Sequence, residues 1–180
     1  MAKHIIIDRD GTLIEHIPYL CDPEKVRILP TVKEGLQILK QSGCRLFLHT
    51  NQSGVGRGYF SYHDAERCNQ EMLRQIGLGS DLFERVCMAP ESPEQPADYR
   101  KPSSKFGREI MAEYGAAAND LCYIGDNVTD LLTAKKLGCG GIGVDTALHD
   151  LRKMLAENDL SGTYPVVDSF LEAATYAIRR

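Results

Sequence analysis

The stretch Ile5-Ile6-Ile7-Asp8-Arg9-Asp10-Gly11-Thr12 decides the fold of this chain. Three β-branched residues in a row, with no polar alternation, suit a strand covered on both faces. The run stops at an acidic residue, and a second acid follows two positions later. The same pattern recurs downstream. Arg45 to His49 reads as a strand that runs into Thr50-Asn51. Val86 to Ala89 reads as a third, Leu121 to Ile124 as a fourth ending at Gly125-Asp126, and Gly140 to Val144 as a fifth.

Helical periodicity fills the intervals. Thr31 is placed to cap a helix carrying Val32, Leu36 and Leu39, which ends near Ser42-Gly43. Ser61 starts a helix to about Gln75. Ser103 or Ser104 opens one to about Tyr114, and another carries Leu131, Leu132 and Leu137. Two more are expected, from about Ala147 to Glu157 and at the end of the Tyr164–Arg180 tail, after a short extended piece. Gly11 to Pro30 reads as a flap, Thr50 to Gly58 as a Gly-rich loop, and the proline-bearing Pro90 to Pro102 as irregular. Strands alternating with helices imply an α/β fold: a three-layer, Rossmann-like parallel sheet with helices on both faces. The short insertions leave no room for a large cap domain. Residues 1–180 read as a single domain, since no repeat or long linker divides them.

Composition agrees. The 180 residues are 43% hydrophobic and 26% charged, which suits a globular domain. A formal net charge of -4 disfavours a nucleic-acid partner. Six scattered cysteines, with no Cys-x-x-Cys pair, read as reduced thiols, and the N-terminus lacks the apolar length of a signal peptide. A cytoplasmic location without membrane attachment is expected. Oligomeric state is not legible. The histidines, His4, His16, His49, His63 and His149, show no mutual metal-site spacing, and His49 reads as a strand residue near the site.

In such sheets ligands bind beyond the carboxyl ends of the strands. Asp8, Thr50 and Asp126 all fall there. Asp8 and Asp10 are costly together unless they meet a cation or do chemistry. A divalent metal would relieve their repulsion toward a phosphate dianion, leaving Asp8 to attack phosphorus. Asp10 could protonate the leaving oxygen and later activate water. Gly11 permits the tight turn between them. An Asp-Gly hairpin turn is the plainer alternative. Thr50 and Asn51 can donate to phosphate oxygens, as can backbone N–H groups at Gly54, Gly56 and Gly58; Ser53 and Arg57 lie in the same loop as substrate-binding candidates. Lys101 would supply fixed positive charge and Arg100 a bidentate grip on the substrate's far end. Asp126 suits magnesium, Asn127 supports it, and Asp130, one helical turn on, can orient Lys101 or metal-bound water.

These segments, in this order, resemble the haloacid dehalogenase superfamily of phosphohydrolases. The resemblance implies Asp8 as the nucleophile that forms an aspartyl-phosphate, Asp10 as acid/base, Thr50 and Lys101 as phosphate binders, and Asp8, Asp126 and the Asp10 carbonyl as the magnesium site. The fuller strings, Thr50-Asn51-Gln52-Ser53-Gly54-Val55-Gly56-Arg57-Gly58-Tyr59-Phe60 and Arg100-Lys101-Pro102, look like the branch of D-glycero-D-manno-heptose 1,7-bisphosphate phosphatases and histidinol-phosphatase domains. A small phosphorylated metabolite is then the substrate, heptose bisphosphate ahead of histidinol phosphate. Many members of that branch carry a structural zinc. Here Cys87 stands alone, with Ala89, Ala97 and Tyr99 at the other ligand positions, so no structural zinc is expected. A polynucleotide 3′-phosphatase and a non-catalytic, receiver-like phosphate-binding domain are the competing readings.

Overall fold

The structure, a computed structural model, describes residues 3–146 and 150–179. One parallel sheet holds β1 (His4–Ile7), β2 (Arg45–Asn51), β3 (Arg85–Ala89), β4 (Leu121–Gly125), β5 (Gly140–Val144) and β6 (Val166–Val167), in the order β3-β2-β1-β4-β5-β6. Helices α1 (Val32–Gln41), α2 (Ser53–Gly56), α3 (Tyr62–Ile76), α4 (Lys105–Tyr114), α5 (Val128–Leu137), α6 (Leu151–Glu157) and α7 (Phe170–Arg179) connect and follow the strands.

Strand alternation sorts the core. Ile5 and Ile7 join the residues of α1, α3 and α7 on one face, while Ile6, Phe47 and Tyr123 meet Phe106 and Ile110 of α4 on the other. All three isoleucines are fully buried, which is why the run shows no polar alternation.

The chain order reverses between β1 and β4, the place where doubly wound sheets open a crevice. Ile7 pairs with Leu48 on one side and Ile124 on the other. β2 therefore runs three residues beyond the last pair with β1, carrying Thr50 and Asn51 out over the crevice.

Several local expectations are corrected. Thr31 precedes α1 but makes no side-chain cap; it adopts φ 65°, and its hydroxyl oxygen accepts from Leu171 N at 3.4 Å. The Gly-rich loop contains the short helix α2, because Gly56 N is bound by Pro90 O and Arg57 N by Ser53 O. The flap is tethered by bridges from Ile14 to Asp10 and Ile28 and includes a short 3-10 turn, Pro23–Lys25. The sixth helix begins at Leu151, capped by Asp150; the expected start at Ala147 and the residue His149 lie outside the described residues. Ser61 does form its expected cap, exchanging bonds with Asp64.

Candidate functional site

Asp8 follows β1 and Asp126 follows β4, so neighbouring strands deliver two carboxylates to one crevice. A cavity of about 180 Å³ opens there, lined by Asp8, Asp10, Thr50, Arg100, Lys101 and Asp126 together with Asn51, Asn127, His16 and Thr129. Most of the residues chosen from sequence are thus brought together from four separate segments.

Lys101 sits at the centre. Its ammonium donates to Asp8 Oδ1 at 2.6 Å and to Asp130 Oδ1 at 2.6 Å, and all three side chains are buried. Asp130, in the first turn of α5, thus accepts a hydrogen bond from Lys101. Burial opposes the charge on Lys101, but the two carboxylates outweigh it and hold the ammonium above its usual pKa. Burial pushes Asp8 up to about 7 against the pull of Lys101, and raises Asp126 well above the carboxylate range, with Asp8 and Asp130 adding repulsion. Carboxylate oxygens of Asp8, Asp126 and Asp130 lie within 4.8 Å of one another. Three buried acids against one ammonium leave an excess of negative charge that suits a divalent cation.

Asp10 is held by Thr50 and by two groups that sequence reading passed over, Arg9 and Gln52. Arg9, fully buried, grips it through Nε and Nη2 at 3.1 Å each and ties it through Nη1 to Asn69 Oδ1 of α3 at 2.7 Å. Gln52 Nε2 donates to Asp10 Oδ2 at 3.0 Å, and Thr50 Oγ1 donates to the same oxygen at 3.2 Å. Their signal was faint: Arg9 between two acids reads as a solvated cation, and a Gln one residue past a strand has no distinguishing period.

Gly11 has φ 84°, and a Cβ there would land on the Asp126 carboxylate. Close approach as well as the turn therefore demands glycine. Thr12 Oγ1 donates to Asp126 Oδ1 at 3.3 Å. Asn127 caps α5, accepting from Thr129 N at 3.1 Å, while its own N–H donates to Asp130 Oδ2 at 3.1 Å.

Other candidates take different places. Arg57 turns away to Glu94 at 2.8 Å, linking the Gly-rich segment to the proline-bearing loop. The N–H groups of Gly56 and Gly58 already donate to Pro90 O and Val55 O. Ser53 lines a second cavity of about 310 Å³ beside the first, shared with Asp10, His16, Tyr19 and Phe60. Asn51 spends its amide on the Lys101 backbone, accepting from Lys101 N at 2.8 Å and donating to Lys101 O at 3.2 Å. Arg100 lines the cavity, its Nε buried without a hydrogen-bond partner. Cys87 is half-buried in β3, and burial raises its thiol to about 12.

A family model described as HAD-hydrolase-like matches residues 98–173. The probable D-glycero-D-manno-heptose-1,7-bisphosphate 7-phosphatase of Thermoplasma volcanium is 30% identical over 124 residues, covering 69% of this chain and 85% of its own length. The chain belongs to the haloacid dehalogenase-like phosphatases. With that membership the receiver-like reading falls away. Among solved structures, the D,D-heptose 1,7-bisphosphate phosphatase of B. bronchiseptica, complexed with magnesium and phosphate, matches this haloacid dehalogenase-like phosphatase with a TM-score of 0.87 at 27% identity over 98% of each chain. The histidine biosynthesis bifunctional protein HisB of Legionella pneumophila is 30% identical over 140 residues, 77% of this phosphatase and 40% of that longer protein. Among the described residues, no helix is long and apolar enough to cross a membrane.

Proposed function

We propose that this phosphatase is a magnesium-dependent phosphomonoesterase that removes a terminal phosphate from a sugar bisphosphate of the D-glycero-D-manno-heptose 1,7-bisphosphate type, acting as the single domain 1–180. The observation that carries the chemistry is the Lys101 ammonium bonded to both Asp8 and Asp130 beside Asp126. The full-length likeness to a heptose bisphosphate phosphatase supports the substrate.

Asp8, Asp126 and the backbone carbonyl of Asp10 would hold magnesium, which supplies charge neutralisation for the phosphate and its attacking carboxylate. Asp8 Oδ attacks phosphorus, and the bond from phosphorus to the sugar oxygen breaks. Lys101 offsets charge at Asp8 and on the transferring group. Asp10 gives a proton to the departing oxygen, then takes one from the water that cleaves the aspartyl-phosphate. Arg9, Thr50 and Gln52 orient the Asp10 carboxylate for both roles. Asp130 and Asn51 fix Lys101 by its two ends. Arg100, which lines the cavity, would grip the substrate's far end.

Histidinol phosphate is the second reading, favoured by the relative from histidine biosynthesis. The test is phosphate release with magnesium from heptose 1,7-bisphosphate, histidinol phosphate and a 3′-phosphorylated oligonucleotide. A clear preference for either of the latter two would overturn the sugar assignment. Asp8→Asn should abolish release from all of them while the fold persists; near wild-type turnover would remove Asp8 from the nucleophile role.

A further inference from the structure

Every polar atom of Tyr99, two residues before Lys101, is tied down. Its N–H donates to Glu91 Oε1 at 2.8 Å and its hydroxyl to Glu109 Oε1 of α4 at 2.6 Å. Its carbonyl lies 2.9 Å from His49 Nε2. A carbonyl can only accept, so the imidazole carries its hydrogen on Nε2. Burial and the nearby Lys101 charge keep the ring neutral, so Nδ1 is a bare acceptor, and Tyr123 OH, 3.0 Å away, donates to it. The ring is fully buried, edge-on to Phe106 at 5.0 Å, and both its nitrogens are spoken for.

His49 and Asn51 stand two apart on β2, so they face the same side of the sheet. His49 holds the carbonyl of Tyr99, and Asn51 holds both the N–H and the carbonyl of Lys101. Two side chains of one rigid strand thus grip an irregular segment as a neighbouring strand would. Thr50, between them, reaches Asp10 instead. The segment's next atoms of consequence are the Lys101 side chain and its ammonium.

We propose that His49 is a positioning residue for the reaction: as a neutral Nε2–H imidazole donating to the Tyr99 carbonyl, it sets, with Asn51, the placement of the Lys101 ammonium against Asp8. This rests on the proposed role of Lys101 in the reaction. A strand supports such placement better than a loop can, and small displacements of a charge at the reacting centre are felt in the chemical step more than in binding.

The test uses the full chain with magnesium and its best phosphoester substrate. His49→Val, which removes the donor, should lower kcat by roughly 10–100-fold, on the scale known for a misplacement of about 1 Å, with KM within about threefold. His49→Gln keeps an N–H that can reach the same carbonyl and should return most of kcat. A bond that merely stabilised the fold would lower the melting temperature and leave kcat unchanged; that outcome, in a folded His49→Val protein, overturns the proposal. Nitrogen-15 spectra of the wild type provide a check independent of the variants. They should show the His49 hydrogen on Nε2, with Nδ1 unprotonated, across pH 8 to 5. A hydrogen on Nδ1 with Nε2 bare overturns it. Asp8→Asn runs alongside: activity there defeats the reading of the site itself, whereas inactivity there with a wild-type kcat in His49→Val defeats only the placement by His49.

Discussion

Lys101 Nζ donates to Asp8 Oδ1 at 2.6 Å although 93 positions of sequence separate the two residues. The bond crosses the crevice at the centre of the sheet, and the same ammonium reaches Asp130. Removing it leaves buried carboxylates facing one another. Lys101→Met should therefore cost the metal-free protein about 3–5 kcal/mol, the usual penalty for breaking a buried pair. It should also lower kcat by on the order of 10²–10³-fold, as loss of one preorganised donor does. Urea titrations and phosphate-release assays read the two effects separately. Lys101→Arg should recover little, because a planar guanidinium does not reproduce a compact ammonium between two carboxylates. Wild-type stability in Lys101→Met would show that the lysine does not carry the charge balance.

Gly11 and Gly58 offer a matched comparison. Both have positive φ, at 84° and 72°, but a Cβ at Gly58 meets nothing within 4 Å, whereas at Gly11 it meets the Asp126 carboxylate. Gly58→Ala should lose only the backbone cost of about 1–2 kcal/mol. Gly11→Ala should lose more and should also lose activity, since Asp126 must move. Equal melting curves and equal turnover for the two variants would refute the close-approach argument.

The sheet and the strand-end acids were legible because they leave local signals. Apolar runs ending in Asp or Thr announce where buried strands stop, and Asp130 stood one helical turn beyond Asp126. Ser53–Gly56 escaped because glycine disfavours helix, and its turn is held instead by the carbonyl of Pro90. Arg9 and Gln52 escaped because their roles exist only in contact with Asp10. Asn51 was read as a phosphate donor, yet its amide is committed to the Lys101 backbone, a partner fifty positions away. Arg57 has a cation's ordinary prospects from sequence, and Glu94 takes it.

Magnesium should stabilise this protein, because Asp8 and Asp126 bring their carboxylates together only when folded. Magnesium at about 100 times its dissociation constant should add about 2.7 kcal/mol. Asp126→Asn should keep the fold but give up most of that increment. Thermal melts with and without chelator measure it. A magnesium-induced rise as large in Asp126→Asn as in the wild type would move the cation elsewhere.

His49 gives the acid side of the stability profile a specific origin. Burial, helped by the nearby Lys101 charge, lowers its pKa from 6.5 to about 3. Between those values the unfolded chain binds a proton at this ring and the folded protein does not, so acid favours unfolding. The stability is intact above pH 6.5 and falls as pH drops toward 3. At pH 5 the ring's share of the loss is about 2 kcal/mol, at 1.36 kcal/mol per unit. Asp8 works in the opposite direction in metal-free protein, since its folded pKa is raised to about 7 and it favours the folded state as pH falls. The two are separated by subtraction: His49→Gln retains Asp8 but has no titrating ring. The difference in unfolding free energy between wild type and His49→Gln, followed by urea titration from pH 8 to 5, should shift toward the variant by about 2 kcal/mol. A difference constant across that range would mean that the folded protein accepts the proton at His49 as readily as the unfolded chain does.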